Sequence, residues 1–388
     1  MDMMKQNMKL NIVNNFCDLC LSKLYNPYEP INTKRFIYTF QCNKCFLLQS
    51  LPQKKYKSNS PASMSFDADR SSIMYTKKLV LPIHLKFFKR FKINFLNFQT
   101  VLDIGSNRGD FLNHFFKQNK SAIIYAIEPK QIFKKYKKNK RLKVVNLRYE
   151  NFNTDKKFDF IYCVHTLEHL ESCLDALKKM KMQLSSLGKI FLSVPNINYS
   201  TKKIFEEIFI DTHTFHLTNN VMIKYFNLVG LKILKKDIRG NELQYLLTKK
   251  NNVNNSIHLN KSLDLFDKKN SLAIYKKRIS YNRNALKLKC RKIKSLLEDG
   301  NKILFWGAGR IFDGLIKIGN IKPTPNIRVL DKNLHKFFKK LHGFKLINTS
   351  NLKYTEKQTI LIVCSRFYAK EILIEAKKFK FKKTVIID

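Results

Sequence analysis

The segment Val101–Gly109 constrains the fold of this chain more than any other. Its first four residues are apolar apart from Asp103 and predict a buried strand, while Gly105 and Gly109 predict a sharp turn that leads into a helix. Because glycine has no Cβ, such a turn lets backbone N–H groups approach a ligand closely. A second apolar strand, Ile123–Ile127, ends in Glu128. An acid at this distance from a glycine turn can accept both hydroxyls of a ribose, so the sequence predicts a pocket for an adenosyl ligand.

Strand and helix patterns alternate along the chain. The predicted strands lie near residues 100–104, 122–127, 142–146, 158–164, 188–194, 231–237 and 241–248. Such alternation predicts a mainly parallel sheet with helices on both faces, which binds ligands at the carboxyl ends of its strands. Gly105, Glu128 and the segment 163–165 all fall at such ends. A second, smaller α/β unit is predicted from Ile303 onward, and its Gly-Ala-Gly turn either receives a phosphate at a helix N-terminus or serves strand–helix packing alone.

Two Cys-x-x-Cys pairs near the N-terminus predict a metal site. They are separated by twenty-one residues and consist of Cys17, Cys20, Cys42 and Cys45. Pairs at this spacing are typical of a closed tetrahedral Cys₄ zinc site. Four protein ligands leave no position open for water, so we expect the zinc to be structural. A zinc lobe of this type can also bind nucleic acid or protein, and that alternative stays open.

Composition narrows the classes of function. The chain has 388 residues, enough for two or three domains, and a formal net charge of +45. The excess is mostly lysine spread from end to end, whereas arginine, which suits phosphate and base recognition better, is scarce. We therefore do not expect nucleic acid as the partner. The electric field of the positive net charge would still attract an acidic substrate such as a nucleotide diphosphate. With no signal-peptide pattern and no apolar run of about 20 residues, the predicted location is cytoplasmic, without a membrane span.

The motifs together point to a known family. The Asp-x-Gly-x-x-x-Gly turn, Glu128 and the segment Phe158–Leu170 resemble the class I S-adenosylmethionine-dependent methyltransferases over roughly residues 95–250. With the Cys₄ lobe before this core and an α/β lobe opening on Trp306-Gly-Ala-Gly-Arg310 after it, the whole chain is similar to the sugar C-methyltransferases. Those enzymes act on nucleotide-linked 4-keto deoxysugars. The resemblance implies S-adenosylmethionine as methyl donor, held by residues at the strand ends: Asp103, Gly105, Ser106, Gly109, Glu128, Cys163 and His165.

The resemblance also implies a base beside the acceptor carbon. The family usually carries a Glu-His pair after the fifth strand, and here His213 falls on the histidine while Thr212 stands where the glutamate is expected. His213 is the preferred base and His216 the second candidate. Glu168-His169 matches a common pattern of the core whose role is more often structural. O-methylation of a glycan or small molecule on the same core is the alternative reaction, and a nucleic-acid-binding or nucleic-acid-modifying protein is the alternative of another class.

The predicted organisation has five parts. They are a zinc-binding lobe at 1–60, a connector with entrance helices at 61–95, the methyltransferase core at 96–250, a helical linker at 251–300 and a Rossmann-like domain at 301–388. The expected partner is a small molecule, a nucleotide-linked sugar.

Overall fold

A computed structural model describes residues 15–30, 37–53, 80–129, 139–199, 205, 207–209, 213–238, 240–250, 264–336, 339–365 and 368–387. Most of the predicted connector, the start of the predicted linker, and Thr212 lie outside these residues. The chain divides into two compact units. The first comprises residues 1–201 and 207–275, and the second comprises residues 202–206 and 276–388.

The first unit contains ten strands and four α-helices among its described residues. In chain order they are β1 (Tyr38–Gln41), β2 (Leu48–Leu51), α1 (Leu81–Arg90), β3 (Thr100–Ile104), α2 (Asp110–Gln118), β4 (Ile123–Ile127), β5 (Leu142–Val145), β6 (Phe158–Val164), α3 (Cys173–Gln183), β7 (Leu184–Pro195), β8 (Phe215–His216), α4 (Asn219–Val229), β9 (Leu231–Asp237) and β10 (Glu242–Lys249). A fifth helix, α5 (Ser271–Glu298), begins in this unit.

Seven of these strands form the central sheet, in the spatial order β5-β4-β3-β6-β7-β10-β9. The first five are parallel, and β10 pairs antiparallel with both β7 and β9. Because β3 pairs with β4 on one side and β6 on the other, the strand order reverses there and the carboxyl ends of β3 and β6 open a crevice. The predicted fold class, a Rossmann-like core with a mainly parallel sheet, is confirmed.

Burial on both faces explains the apolar runs in the sequence. Val101 and Leu102 of β3 and Phe160 and Ile161 of β6 are all 0% exposed. Strands of a parallel sheet covered by helices on both sides are uniformly apolar for this reason. The centre of the sheet is therefore buried on both faces, whereas the edge strands β5 and β9 are partly exposed.

The fifth predicted strand, near residues 188–194, begins earlier than the sequence suggested. β7 starts at Leu184, and its register against β6 shifts between Phe158 and Phe160. A Cβ at Gly188 would lie 2.8 Å from the carbonyl oxygen of Phe158. Gly188 therefore does not open the strand but lies inside it, where the irregular pairing needs close backbone approach.

A small antiparallel sheet joins the cysteine lobe to the core. Its order is β1-β2-β8, with Gln49 of β2 opposite Phe215 of β8. The backbone N–H of Ser50 also donates to the carbonyl oxygen of Thr214 at 2.8 Å. The segment that carries both predicted base residues is thus held by a strand of the lobe.

The second unit is a smaller α/β domain, as predicted. It contains β11 (Lys302–Trp306), α6 (Arg310–Lys317), β12 (Ile327–Leu330), β13 (Lys340–Leu341), β14 (Phe344–Ile347), β15 (Thr359–Val363), α7 (Ala369–Ala376) and β16 (Lys383–Ile386). The sheet order is β13-β14-β12-β11-β15-β16, parallel except for β13. Among the helices in the described ranges, none is long and apolar enough to cross a membrane.

Candidate active site

The turn after β3 packs against the segment that follows β6. Gly105 has φ +72°, and a Cβ at this position would lie 2.1 Å from Oγ1 of Thr166. The Thr166 hydroxyl is itself fixed, since it lies 3.0 Å from the carbonyl oxygen of Val164 and 3.2 Å from that of Ile104. Glycine is therefore required at position 105 both by the left-handed backbone and by this contact.

Glu128 lies at the opening of the same turn. It is 2% exposed, and its Oε2 accepts a hydrogen bond of 2.8 Å from the backbone N–H of Asn107. Gly109, with φ +75°, precedes α2 at the end of the turn. Ser106 is also buried, and its backbone N–H donates to the carbonyl oxygen of Ile127 at 3.2 Å. The two strand ends are thus joined into one rigid pocket wall.

Asp103 is a buried carboxylate beside this wall. It is 1% exposed, and neither carboxylate oxygen has a hydrogen-bond partner within the described residues. Burial, and then the charge of Glu128, raise the pKa of Asp103 well above its ordinary value. A positively charged ligand beside this carboxyl group would favour its ionised form, so the site suits the sulfonium and ammonium charges of S-adenosylmethionine.

Cys163, the remaining predicted donor residue on β6, lies in the core. Its side chain is 0% exposed and belongs to the same apolar cluster as Leu102 and Ile104. Burial raises the pKa of its thiol, which is therefore neutral.

His165 follows β6 in the left-handed region, with φ +47°, which residues other than glycine rarely adopt. Its Nδ1 lies 3.5 Å from Oε1 of Glu168, and its Nε2 lies 3.3 Å from Oε1 of Glu242. Burial lowers the pKa of His165, but the two carboxylates outweigh burial and raise it to about 10. The ring is therefore an imidazolium at neutral pH.

Glu242 and His84 extend this cluster, and the sequence analysis missed both. Oε2 of Glu242 accepts from the Ser193 hydroxyl at 2.6 Å and lies 2.9 Å from Nε2 of His84. The other ring nitrogen of His84 lies 2.9 Å from the Tyr162 hydroxyl. Burial lowers the pKa of His84, so a neutral ring donates to Glu242 and accepts from the tyrosine. The signal in the sequence was a single acid, Glu242, near the start of the predicted strand 241–248.

The two predicted base residues lie at β8: His216 is its second residue, and His213 precedes the strand by two positions. The ring centroids of His213 and His169 are 4.7 Å apart, and the backbone N–H of Thr214 donates to the carbonyl oxygen of Glu168 at 2.9 Å. Burial lowers the pKa of His213 well below its ordinary value, and neighbouring histidines lower it further. Burial lowers the pKa of His216 to about 3, and its Nε2 lies 2.8 Å from the Ser50 hydroxyl. Both rings are neutral at physiological pH.

The structure brings the four N-terminal cysteines together. Their sulfur atoms all lie within 4.8 Å of one another, with 3.3 Å between Cys17 and Cys45 and 3.4 Å between Cys20 and Cys42. Four thiolates at about 2.3 Å from a tetrahedral zinc ion lie about 3.8 Å apart, so the cluster fits zinc after a small expansion.

Asp18, between the first two cysteines, ties the lobe to the core. Its Oδ2 accepts from the hydroxyl of Tyr225 at 2.7 Å and from the backbone N–H of Leu174 at 3.1 Å. These bonds connect the first cysteine pair to α3 and α4.

Comparisons with known proteins identify a matching family model and a set of similar solved structures. Residues 73–246 match a family model described as a methyltransferase domain. No curated protein matches the chain. A similar solved structure is an S-adenosylmethionine-dependent methyltransferase from Clostridium acetobutylicum, with 13% identity, 47% of this chain and 98% of that chain covered, and a TM-score of 0.39. Another, from Mesorhizobium loti, has 11% identity, 42% of this chain and 95% of that chain covered, and a TM-score of 0.36. The plantazolicin methyltransferase BpumL has 17% identity, 46% of this chain and 88% of that chain covered, and a TM-score of 0.38.

Proposed function

Because residues 73–246 form a class I S-adenosylmethionine-dependent methyltransferase domain, we propose that the protein methylates a carbon atom of a nucleotide-linked keto-deoxy sugar. The observation that carries this proposal is the contact between the turn at Gly105 and Thr166. It brings a donor-type pocket and the histidine-rich segment after β6 to one edge of the sheet. A methyl group held at the turn and an acceptor held at the histidines would be neighbours.

The donor site is proposed at the ends of β3 and β4. S-adenosylmethionine supplies an electrophilic methyl group on a sulfonium sulfur. Glu128 accepts the two ribose hydroxyls, and the turn from Gly105 to Gly109 offers backbone N–H groups to the rest of the donor. A positively charged donor would favour the ionised form of the buried Asp103 carboxyl group, so this residue is proposed to bind the donor more tightly than the product, which lacks the sulfonium charge.

The acceptor step needs a base, and His213 is proposed for it. Its neutral ring takes the proton from the carbon next to the keto group, and that carbon then bonds to the methyl group as the sulfur–methyl bond breaks. The products are the C-methylated sugar, S-adenosylhomocysteine and a proton that returns to water. Because burial makes His213 a weak base, the imidazolium of His165 is proposed to stabilise the enolate oxygen.

Structural zinc in the Cys₄ cluster completes the proposal. The expected ligands are Cys17, Cys20, Cys42 and Cys45. Bound zinc would rigidify the lobe whose strand β2 pairs with β8. It therefore supports the histidine segment without touching the reacting atoms.

Incubation with isotope-labelled S-adenosylmethionine and a panel of nucleotide sugars tests the proposal. We expect one nucleotide sugar to gain a methyl group, with a new carbon–carbon bond visible by NMR, and the H213A variant to bind the donor without turnover. A methyl group on oxygen would favour the O-methyltransferase alternative. Methyl gain only on RNA or DNA included in the same panel, or no binding of the donor, would refute the assignment.

A further inference from the structure

We propose that Glu168, His169 and His213 bind a divalent transition-metal ion beside the proposed acceptor site. One ligand atom from each of these residues lies within 4.8 Å of the other two. Oε1 of Glu168 is 3.9 Å from Nε2 of His169, and the rings of His169 and His213 lie edge to face with 70° between their planes. This site is separate from the Cys₄ cluster and has different donor atoms.

Local structure explains why these side chains converge. Glu168 and His169 lie on a single 3₁₀ turn, Leu167–His169, directly after the segment that follows β6. The hydrogen bond from the backbone of Thr214 to Glu168 holds the neighbouring His213 against this turn. Two segments more than forty residues apart in sequence therefore supply one ligand set.

The carboxylate of Glu168 independently indicates a ligand. Glu168 is 1% exposed, and neither of its oxygens makes a hydrogen bond to any described residue. Burying carboxylate oxygens without hydrogen bonds is costly. The nearest side chain, His165, lies 3.5 Å from Glu168 and is shared with Glu242 at 3.3 Å, so it does not satisfy both oxygens of Glu168. A cation bound by Glu168 would satisfy these oxygens.

The donor set defines the class of ion. Two imidazoles and one carboxylate suit first-row divalent ions such as manganese, iron(II), cobalt and zinc, and three protein ligands leave positions open for a further ligand. Metal–ligand distances of about 2.0–2.2 Å require the ligand atoms of the three side chains to move slightly closer to one another. Rotation of the two half-buried imidazoles would provide this movement.

The role of the ion rests on the proposed function, whereas its binding does not. An ion with open positions would bind the keto oxygen of the acceptor and stabilise the negative charge that develops there. His213 would then be a ligand, and proton removal would pass to His216, the second base candidate. The ion would thus also help the neutral histidines to act on a weakly acidic carbon.

Manganese binding to the full-length protein tests the inference. Mn²⁺ added to protein with its cysteine-bound metal intact can be followed by the loss of the free-ion EPR signal, because hard Mn²⁺ competes poorly for four thiolates. We expect one Mn²⁺ per chain, and at least tenfold weaker binding in the E168Q and H213A variants. The H342A variant removes a histidine of the second unit and should bind as the wild type does.

The outcomes separate this inference from the proposed function. Absence of Mn²⁺ binding to the wild type, or unchanged affinity in both site variants, would overturn the metal site. If H213A does not fold, as judged by circular dichroism and donor binding, the H169Q variant replaces it. Unchanged methyl transfer after EDTA treatment that leaves the cysteine-bound metal in place would overturn the role of the ion in the reaction but keep the methyltransferase proposal. Mn²⁺ binding without methylation of any nucleotide sugar would support the site and refute the acceptor.

Discussion

Replacement of Glu128 tests the proposed donor pocket most directly. Its carboxylate is buried, fixed by the backbone N–H of Asn107, and lies at the carboxyl end of β4. If it accepts both ribose hydroxyls, the E128A variant loses two hydrogen bonds to a charged group in a site screened from water. The E128Q variant has the same shape and keeps an acceptor oxygen, so it should lose less.

The size of the effect follows from the number of bonds. A hydrogen bond to a charged group contributes roughly 1.5–3 kcal/mol, so two bonds contribute about 3–6 kcal/mol. The affinity of E128A for the donor should therefore fall by roughly 10²- to 10⁴-fold. In E128Q a neutral amide oxygen replaces a charged carboxylate oxygen as hydrogen-bond acceptor, so part of the binding free energy is lost. We therefore expect the affinity of E128Q for the donor to fall by about 10- to 100-fold.

Isothermal titration calorimetry with S-adenosylmethionine and with S-adenosylhomocysteine measures both losses. The E371A variant, which removes an exposed acid of the second unit, serves as the matched control and should retain wild-type affinity. Far-UV circular dichroism and a melting curve establish that the variants are folded. Wild-type affinity in a folded E128A protein would refute the placement of the ribose at Glu128.

Three further predictions concern the turn, the lobe and the buried network. The G105A variant should lose about 1–2 kcal/mol of unfolding free energy because alanine is strained in the left-handed backbone conformation, and it should lose more because its Cβ would collide with Thr166. Urea denaturation measures this loss, and unchanged stability would contradict the described turn. The C42S variant should contain less zinc by elemental analysis and melt at a lower temperature, and equal zinc content would remove the Cys₄ assignment. Because burial lowers the pKa of His84 below its ordinary value of 6.5, its contribution to stability is present above pH 6.5 and is lost as the pH falls below it. Unfolding free energies of wild type and H84Q should therefore diverge less at pH 5 than at pH 8; an equal difference at both pH values would contradict a buried neutral ring.

The sheet was predictable because its central strands are mostly apolar. Burial on both faces leaves a strong, continuous signal, as in Val101–Ile104 and Phe158–Val164. The start of β7 could not be predicted from the sequence, because the residues before Gly188 pair with β6 in an irregular register that leaves no local sequence pattern. The spacing of the cysteine pairs was equally clear, since knuckle geometry is local in sequence.

The histidine and glutamate cluster could be predicted only in part. A strand end and a motif indicate His165 and His213, but Glu242 meets His165, and His84 meets Glu242, only through tertiary contacts. Glu168-His169 had been interpreted as more often structural. Its nearness to His213 depends on the backbone bond to Thr214, which joins distant segments and leaves no periodic trace in the sequence.

In the proposed mechanism, the pairing of β2 with β8 makes the N-terminal lobe necessary for turnover. The proposed donor pocket lies at the ends of β3, β4 and β6, which belong to another sheet. Zinc deprivation should therefore yield a protein that still captures its methyl donor yet cannot present the histidine strand to an acceptor. Metal supply to the cell would then set the fraction of molecules that are competent, independently of how much donor is available.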